Sequence, residues 1–555
     1  MNHNTVEDYV IDAAKNYLQT VVFVDDQIYQ RDGAIAVSRL KEGSVKRRKS
    51  AILKEIEEGA ENKRKTSQDF NVVVESSEQH LSSRDLLNSF AKKRMVCSLY
   101  QPEEGAAYSK RSDVYQLCMA SDVVVLDWVL HGRDGDHTIE LVDNIIKQSL
   151  EDDPEQLRLI VIYTDRDNLG LVADRLYGRL SASIDQIDDI KKTSDGLALH
   201  TMNSRIIVFG KPNPRRGDNF REYVKEEKEL ADAVIQEFAK LADGLLQACV
   251  LNGLAEIRKQ SRKILTKFHT GLDPAFITHR ALKLHDEDGY DHLPSLLVAE
   301  IEAVLEDCMP RHSITDAVLK DWCRKWIPSA RAKSFVGEQV EVKAFAAIFA
   351  TQGMGIKKHY EPGKKSSLAK TIKALDKNEW PSKDSPNFKE LTTLLSPDES
   401  GEDHRELAYL MSHRTHYNLT RELTLGTVVK SSLGKYLICL QPYCDCVRLK
   451  SPTNFVFASL EIATGSMATD VVFDDNNFLE LVFRPKARNC FVFRFTPSNG
   501  SVKAHQLIFR SVDGTKYSWI SQMKPKHAQR VAEQFARELG RVGLTESEWL
   551  RLKAK

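Results

Sequence analysis

The polar side chains of this sequence that could carry chemistry stand directly after four short apolar runs. The runs are too short for buried helices and rich in Val and Ile, which is typical of strands in a parallel sheet. The residues that follow them are, in chain order, Asp25 and Asp26, Asp127, Thr164 and Lys211. The carboxyl ends of parallel strands meet at one edge, where open α/β sheets bind ligands. We therefore expect three carboxylates, a hydroxyl and an ammonium group to form one site.

Three carboxylates that converge within a few ångströms repel one another and raise a pKa within the group. Such a cluster is tolerated mainly when a hard divalent cation lies among its oxygens. Mg²⁺ is the natural occupant of a site of this kind. The sequence therefore predicts Mg²⁺ as a cofactor.

The same strand ends resemble the receiver domain of two-component response regulators. That family has an acidic pair after the first strand, Asp after the third, Thr or Ser after the fourth and Lys-Pro after the fifth. The matching residues here are Asp25-Asp26, Asp127, Thr164 and Lys211-Pro212. The stretch from Asp127 to Gly135 also keeps the family's spacing between the phosphorylated Asp and a following Asp-Gly. The resemblance implies a flavodoxin-like α/β fold with a five-stranded parallel sheet at the N-terminus.

The resemblance also assigns roles to these residues. Asp127 would accept a phosphoryl group from a cognate sensor histidine kinase in a self-catalysed transfer and become an aspartyl phosphate. Asp25 and Asp26 would hold Mg²⁺ together with Asp127 and the backbone carbonyl of Val129. Thr164 and Lys211 would bind the phosphoryl oxygens, and their rearrangement would be the switch.

Three positions near this pattern matter for the comparison with known families. One distinguishes a receiver from a phosphatase, and two depart from the usual receiver sequence. Phosphatases of the haloacid-dehalogenase family also use a strand-end Asp with Mg²⁺, but they need a second Asp two residues later, where this chain has Val129. Val208 occupies the place where many receivers have a switching Tyr or Phe, with Phe209 beside it. His131 replaces the Pro common after the phosphorylation site, and both a role in phosphate access and a plain loop residue remain open.

Composition limits the class of protein. A chain of 555 residues with a net charge of zero predicts two to four domains and gives no indication of a nucleic-acid or anionic-membrane partner. Nine scattered cysteines without a signal peptide indicate reduced thiols. No apolar run approaches the roughly 20 residues needed to span a bilayer. We expect a cytoplasmic protein without a membrane partner. Nucleic acid is not the expected partner, although the basic insertion at about 30–82 leaves a docking arm for another protein or for nucleic acid open.

Helical and strand periods predict four regions along the chain. The receiver domain is expected over residues 1–217, with an insertion at about 30–82 and an enlarged fourth-helix region. A long connecting helix over 218–268 carries an apolar stripe from Phe220 to Ile257, which predicts a homodimer contact. A helical domain is expected over 269–400. An α+β domain with a mainly antiparallel sheet or small barrel is expected over 401–555.

Two further patterns in the C-terminal half are weak candidates for chemistry. A zinc site would draw on His404, His413, His416, Cys439, Cys444 and Cys446, but their spacing fits no common ligand pattern. A nuclease-like site would draw on Asp470, Asp474, Asp475, Glu480 and Lys486, but the Glu-x-Lys step is missing because Val482 stands two residues after Glu480.

The enlarged receiver with a large C-terminal region resembles the divergent receivers of bacterial antiphage systems of the Detocs type. In that system one receiver protein carries a nucleoside-cleaving effector and another serves as a phosphate sink. This chain has no nucleoside-phosphorylase-like motif, so it is more similar to the sink, and a second response regulator or effector would be a further partner. The alternative is a phosphorylation-gated effector enzyme, for example nuclease-like, with its active site in the C-terminal half.

Overall fold

The structure, a computed structural model, describes residues 3–28, 83–151, 157–183, 190–201, 203–216, 218–282, 292–309, 314–327, 332–335, 338–352, 395–396, 400–417, 420–464 and 468–539. The chain divides into two compact units, Met1–Trp322 and Cys323–Lys555. The insertion expected at 30–82 lies outside the described residues. The three boundaries between the four regions inferred from the sequence stay predictions.

A seven-stranded sheet forms the centre of the N-terminal unit. Its strands are β1 (Thr20–Val24), β2 (Val96–Tyr100), β3 (Val123–Asp127), β6 (Arg158–Thr164), β7 (Lys191–Lys192), β8 (Ala198–His200) and β9 (Ser204–Gly210). A short hairpin, β4 (Val129–Leu130) and β5 (Arg133–Asp134), follows β3. The sheet order is β2-β1-β3-β6-β9-β8-β7, and the first five of these strands are parallel. Those five have the strand order of flavodoxin-like doubly wound sheets.

The sheet therefore contains two strands more than the five that were expected. The additional strands, β7 and β8, form an antiparallel hairpin that pairs with β9. They come from the enlarged region before the last parallel strand, and Gly196 turns the chain between them at φ +75°. Strands of two and three residues are too short to show a two-residue period, so the sequence pattern does not reveal them.

Helices cover both faces of this sheet. They are α1 (Val6–Tyr17), α2 (Ser83–Lys92), α3 (Asp113–Met119), α4 (Asp136–Glu151), α5 (Leu169–Ser183), α6 (Leu230–Leu241) and α7 (Leu245–Lys267). One face buries α1, α2, α6 and α7, and the other buries α3, α4 and α5. The leading helix α1 begins at Thr5, whose side chain accepts a hydrogen bond from the N–H of Asp8. All five side chains of β3 are buried, which explains its unbroken apolar run.

The region expected as one long connecting helix is divided. Residues Asp218–Tyr223 form a 3₁₀-helix, and α6 and α7 follow as separate α-helices. The break lies at Gly244, which has extended backbone angles at the start of α7 and is a poor helix former. The early part of the apolar stripe, including Leu230, Val234 and Phe238, is buried in the core of the same unit. Those side chains are not free to contact a second chain.

A helical region follows, as expected. Its helices are α8 (Asp273–Ala281), α9 (His292–Cys308), α10 (Asp316–Trp326) and α11 (Val342–Gln352). A short antiparallel hairpin that the sequence pattern does not predict, β10 (Ala332–Phe335) and β11 (Glu338–Glu341), precedes α11. The division between the two units falls within α10.

The C-terminal unit contains an eight-stranded antiparallel sheet, which confirms the predicted sheet type. Its strands are β12 (Thr427–Ser431), β13 (Tyr436–Cys439), β14 (Thr453–Ile462), β15 (Asp470–Asp474), β16 (Asn477–Phe483), β17 (Cys490–Phe495), β18 (Ile508–Arg510) and β19 (Lys516–Gln522). The order is β15-β16-β14-β13-β12-β19-β18, and β17 pairs with β14. The helices of this part are α12 (Glu402–Ser412) and α13 (Pro525–Leu539). Ala528, Val531 and Phe535 of α13 pack on one face of the sheet, while the other face has its own aromatic core.

Among the described residues, no helix is both long enough and apolar enough to cross a lipid bilayer.

Candidate functional site

Parallel pairing places the four predicted strand ends along one edge of the N-terminal sheet. Val24, the last residue of β1, pairs with Leu126 of β3, so Asp25 and Asp127 follow neighbouring strands at the same level. Thr164 ends β6 opposite Gly210 of β9, and Lys211 comes next in the chain. Strands β1 and β3 are the pair at which a doubly wound sheet reverses its winding and opens a binding crevice.

Lys211 joins two of the carboxylates directly. Its Nζ lies 2.5 Å from Oδ1 of Asp127 and 3.4 Å from Oδ2 of Asp25. Burial raises the pKa of Asp127 to about 6, with the neighbouring Asp25 adding to the effect and Lys211 opposing it. Burial alone would lower the pKa of Lys211, but the charges of Asp127 and Asp25 raise it above its ordinary value. The ammonium group therefore stays charged and compensates the two buried carboxylates.

Asp26 supplies an unused oxygen at the same edge. Its Oδ2 accepts a hydrogen bond from the N–H of His131 at 2.7 Å, whereas its buried Oδ1 has no hydrogen-bond partner within the described residues. The side chain borders a cavity of about 390 Å³ that is also lined by Glu103, Glu104 and His131. A buried carboxylate oxygen without a partner is costly unless a cation or water satisfies it.

The donor set fits a hard cation, although the three carboxylates are not gathered around one point. Carboxylate and carbonyl oxygens are the ligands that Mg²⁺ prefers. In the part of the chain that the structure describes, no group of three His, Cys, Asp or Glu side chains lies close enough together to hold a metal ion. The ammonium group of Lys211 contacts both Asp25 and Asp127.

The segment after β3 holds Asp127 in place. The N–H of Val129 donates to Asp127 Oδ2 at 2.8 Å, and Thr138 Oγ1 donates to the Asp127 carbonyl at 2.8 Å. Gly135 has φ +80°, and a Cβ there would lie 2.2 Å from the Trp128 ring. Only glycine therefore fits this turn, which explains the Asp-Gly spacing in the sequence. The indole of Trp128 donates to Oδ1 of Asp134 at 2.8 Å and fixes the far side of the turn.

Comparison with protein families identifies this arrangement. Residues 17–216 match the family model of the response receiver domain. The N-terminal part of the chain is a receiver domain. No curated protein and no solved structure matches the chain significantly. A receiver domain is the phosphoacceptor part of a response regulator, and it implies a histidine kinase as the kind of partner.

The receiver domain also contains a clamp that the sequence analysis missed. The guanidinium group of Arg216 donates to the carbonyls of Thr164 at 3.2 Å, Arg166 at 2.6 Å and Lys211 at 2.5 Å. The N–H of Lys211 donates to the carbonyl of Thr164 at 2.6 Å. Arg216 thus fixes the backbone that carries both residues expected to bind phosphoryl oxygens. An Arg five residues after the Lys of Lys-Pro is the available sequence signal, but its targets are carbonyls and leave no pattern.

His131 and Val208 mark departures from the family pattern. His131 has φ +53°, its side chain is largely buried, and its Nε2 has no hydrogen-bond partner among described residues. Its Nδ1 lies 3.9 Å from Oδ2 of Asp26, so the imidazole borders the acidic edge. Val208 is buried in the core on the face covered by α3, α4 and α5, where it has no polar atom to offer Thr164.

The zinc ligands considered in the C-terminal half do not meet. His413 is buried and stacks on Tyr409, His416 packs edge-to-face on Trp519, and Cys446 donates from its thiol to backbone carbonyls. No metal-holding group of three is found in the described part of this unit.

Four acidic residues of the nuclease hypothesis each contact a basic side chain. Asp474 binds Lys430 at 2.6 Å, and Asp475 contacts the same ammonium group at 3.1 Å. Glu480 pairs with Arg405 at 2.9 Å. Asp470 is buried beside His413, with Oδ2 and Nε2 3.8 Å apart. Asp474, Asp475 and Glu480 border one cavity of about 560 Å³ together with Arg405, but no three acidic, His or Cys side chains of the described residues lie close enough together to hold a metal ion.

Proposed function

We propose that Asp127 is the phosphoacceptor of this receiver domain. The observation that carries the proposal is the buried contact between Asp127 and Lys211 beside Asp25. An oxygen of Asp127 would bond to phosphorus while the bond from phosphorus to the kinase's imidazole nitrogen breaks. That nitrogen would keep the electron pair of the broken bond and gain a proton. Thr164 and Lys211 would then contact the new phosphoryl oxygens.

Mg²⁺ is the proposed cofactor. Asp25, Asp26 and Asp127 would hold it with the carbonyl of Val129, and the unpartnered Oδ1 of Asp26 supports this assignment. When bound, the cation would screen the charge of the incoming phosphoryl group. Lys211 would move from its position between the two carboxylates toward the phosphoryl oxygens, where its ammonium charge is needed.

The test is phosphate incorporation by the full chain with Mg²⁺ and a small-molecule phosphodonor. We expect one hydroxylamine-labile phosphoryl group per chain and at least a hundredfold lower incorporation in Asp127→Asn. The matched control is Asp8→Asn, which makes the same change at an exposed carboxylate of α1. Equal incorporation by Asp127→Asn and the parent chain would contradict the assignment.

We also propose a biological setting. The chain would regulate a sensor kinase in bacterial antiphage defence, as a phosphate sink or as a signalling partner of a second response regulator. The support is the likeness to Detocs-type receivers in domain plan. An aspartyl phosphate that persists for hours would favour a sink, and transfer within minutes to a second regulator would favour a relay.

The phosphorylation-gated effector enzyme remains the alternative. Asp474 and Glu480 are each held in an ion pair with a different basic residue. The enzyme hypothesis therefore has less support than the regulatory role, which rests on the receiver site. Glu480→Gln, with Arg405→Gln as its partner variant, tests it. Loss of biological output in Glu480→Gln but not in Arg405→Gln would favour an enzyme.

A further inference from the structure

A buried tyrosine lies directly beneath the site. Tyr163 is the residue before Thr164 on β6, and its side chain points to the opposite face of the sheet, into the core shared with α1 and α6. Its ring packs edge-to-face on Phe23 at 6.1 Å between centroids. The Nζ of Lys211 lies 5.6 Å from the centroid of the same ring, within the range of a cation–π contact. The Tyr163 ring is therefore a direct neighbour of the Lys211 ammonium group.

The hydroxyl of Tyr163 holds a different part of the chain. It donates a hydrogen bond of 2.8 Å to the carbonyl of Lys225. The N–H of Lys225 in turn donates to the carbonyl of Gly210 at 3.0 Å, and Val224 forms a parallel bridge with Gly210. Residues 224–225 are thus fastened to β6 and β9 beside the site. Five residues later the chain begins α6.

We propose that Tyr163 is a positioning residue that couples Lys211 to the segment 224–241, so that the phosphorylation signal leaves the receiver domain through α6. This inference rests on the proposed phosphorylation of Asp127. A phosphoryl group adds about 1.5 to 2 negative charges at the site and attracts the Lys211 ammonium group. As Lys211 shifts, its contact with the Tyr163 ring weakens. The Tyr163 ring then takes a different position, and the hydrogen bond from its hydroxyl group transmits this displacement to Lys225.

The geometry gives this path a definite direction. Tyr163 is fully buried between the sheet and α6, so its ring cannot move without displacing its neighbours. Segment 224–225 contacts the ends of both β6 and β9. The next helix in the chain, α6, packs on the same face of the sheet as Tyr163. A change in this hydrogen bond is therefore felt first at the start of α6.

The experiment is hydrogen exchange of the full chain, with and without phosphorylation, in the parent protein, Tyr163→Phe and Tyr177→Phe. Tyr163→Phe keeps the ring under Lys211 and removes only the hydroxyl. Tyr177→Phe makes the same change in a partly buried tyrosine of α5. We expect phosphorylation to change exchange in residues 221–241 at least fivefold in the parent protein and in Tyr177→Phe. In Tyr163→Phe, phosphate incorporation should match the parent within twofold, while the exchange change falls at least threefold.

The outcomes separate the two proposals. A chain that accepts no phosphate contradicts the proposed function, and the coupling falls with it. Full phosphorylation with an undiminished exchange change in Tyr163→Phe overturns the coupling alone. Phosphorylation of the parent protein without any change in 221–241 also overturns it, and that measurement needs no variant.

Discussion

At the scale of single residues, the site depends on a shared countercharge. Asp25 and Asp127 are both buried, and Lys211 is the cation in contact with both. Removing one member of a buried charge group is more damaging than removing the group, because the remaining charges lose their compensation. The same ammonium group is proposed to bind the phosphoryl oxygens, so stability and signalling depend on one side chain.

Lys211→Ala should lower the free energy of unfolding of the N-terminal unit by about 3 kcal/mol, because two buried carboxylates would face each other uncompensated. Millimolar Mg²⁺ should restore part of the loss. Urea denaturation with and without Mg²⁺ measures both effects. The control is Lys93→Ala, which breaks the surface pair with Asp232 and should cost about 0–1 kcal/mol. A loss no larger than that of the control would contradict the countercharge role.

A second buried pair, His413 and Asp470, makes a prediction about pH. Burial raises the pKa of Asp470 to about 7 and lowers that of His413 to about 4. Between those values the folded pair holds one proton. The unfolded chain also holds one proton, on His413, from about pH 4 to 6.5. Since the proton counts are equal, the intact pair adds almost no pH dependence to stability in that range.

In Asp470→Asn the two opposing effects of pH on stability should no longer cancel. Only His413 then titrates, the unfolded chain binds more protons, and stability of the C-terminal unit should fall by about 1 kcal/mol per unit as the pH drops from 6.5 to 4.5. His413→Gln should show the opposite slope, with stability falling as the pH rises from 4 toward 7. Lys524, His527 and Arg530 also act on this pair and are unchanged in both variants. Denaturation curves at five pH values measure the slopes, and parallel slopes in the two variants would contradict the assignment.

At the scale of elements, one carboxylate joins three parts of the receiver unit. Asp122, just before β3, accepts hydrogen bonds from the N–H groups of Gln19 and Thr20 at the start of β1, both at 2.9 Å. It also accepts two bonds from the guanidinium group of Arg258 on α7. Asp122 therefore joins α7 to the edge of the sheet opposite the one that carries Asp127.

Asp122→Ala should destabilise the N-terminal unit by about 2–3 kcal/mol, since two backbone N–H groups and a guanidinium group lose a charged acceptor. Asp122→Asn keeps one acceptor oxygen and should cost less. Thermal unfolding ranks the two variants, and Asp113→Ala on the first turn of α3 serves as an exposed control. Equal losses in Asp122→Ala and Asp113→Ala would refute the joining role.

Helices and strands could be predicted from the sequence wherever apolar residues recur at a regular spacing. The apolar runs and their polar ends indicated the parallel strands, and the helical spacing of Val6 to Leu18 indicated α1. Strand β19 has a weak sequence signal, because only Tyr517 and its neighbours alternate, with partly exposed side chains between them. The contacts of Arg216 could not be predicted, because they depend on how distant segments meet, which a local pattern does not record. The break at Gly244 does have a local signal, since Gly is a poor helix former.

At the scale of the whole molecule, the two compact units each have their own cores. The N-terminal unit has one apolar core on each face of its sheet, and the C-terminal unit has two of its own. A unit with separate cores and a complete sheet is expected to fold without the other. The proposed phosphoacceptor site lies entirely within the first unit.

Residues 1–322 alone should therefore fold cooperatively and incorporate phosphate within threefold of the rate of the full chain. Circular dichroism during urea unfolding and the labelling assay described above test both statements. Residues 1–216 provide the informative comparison, because they lack α6 and α7 and should be less stable. Failure of 1–322 to fold would contradict the independence of the first unit.

Homodimer formation stays a prediction at this scale. On α7, Leu246, Val250 and Leu254 are exposed at four-residue steps, while Leu230, Val234 and Phe238 of α6 are buried. If a dimer forms, this outer face of α7 is its expected contact. Sedimentation of the parent protein and of Val250→Glu would measure it, and an unchanged monomer in both would contradict the prediction.

The turn that follows Asp127 has an optical consequence. Trp128 is the next residue in the chain, its indole is buried, and its N–H points to the carboxylate of Asp134. Indole emission responds to nearby charge and to hydrogen bonding of its ring nitrogen. Each arrival of a cation or a phosphoryl group at Asp127 should therefore alter the fluorescence of a chromophore one residue away. Trp128 would then report on the proposed phosphorylation in real time without an added label.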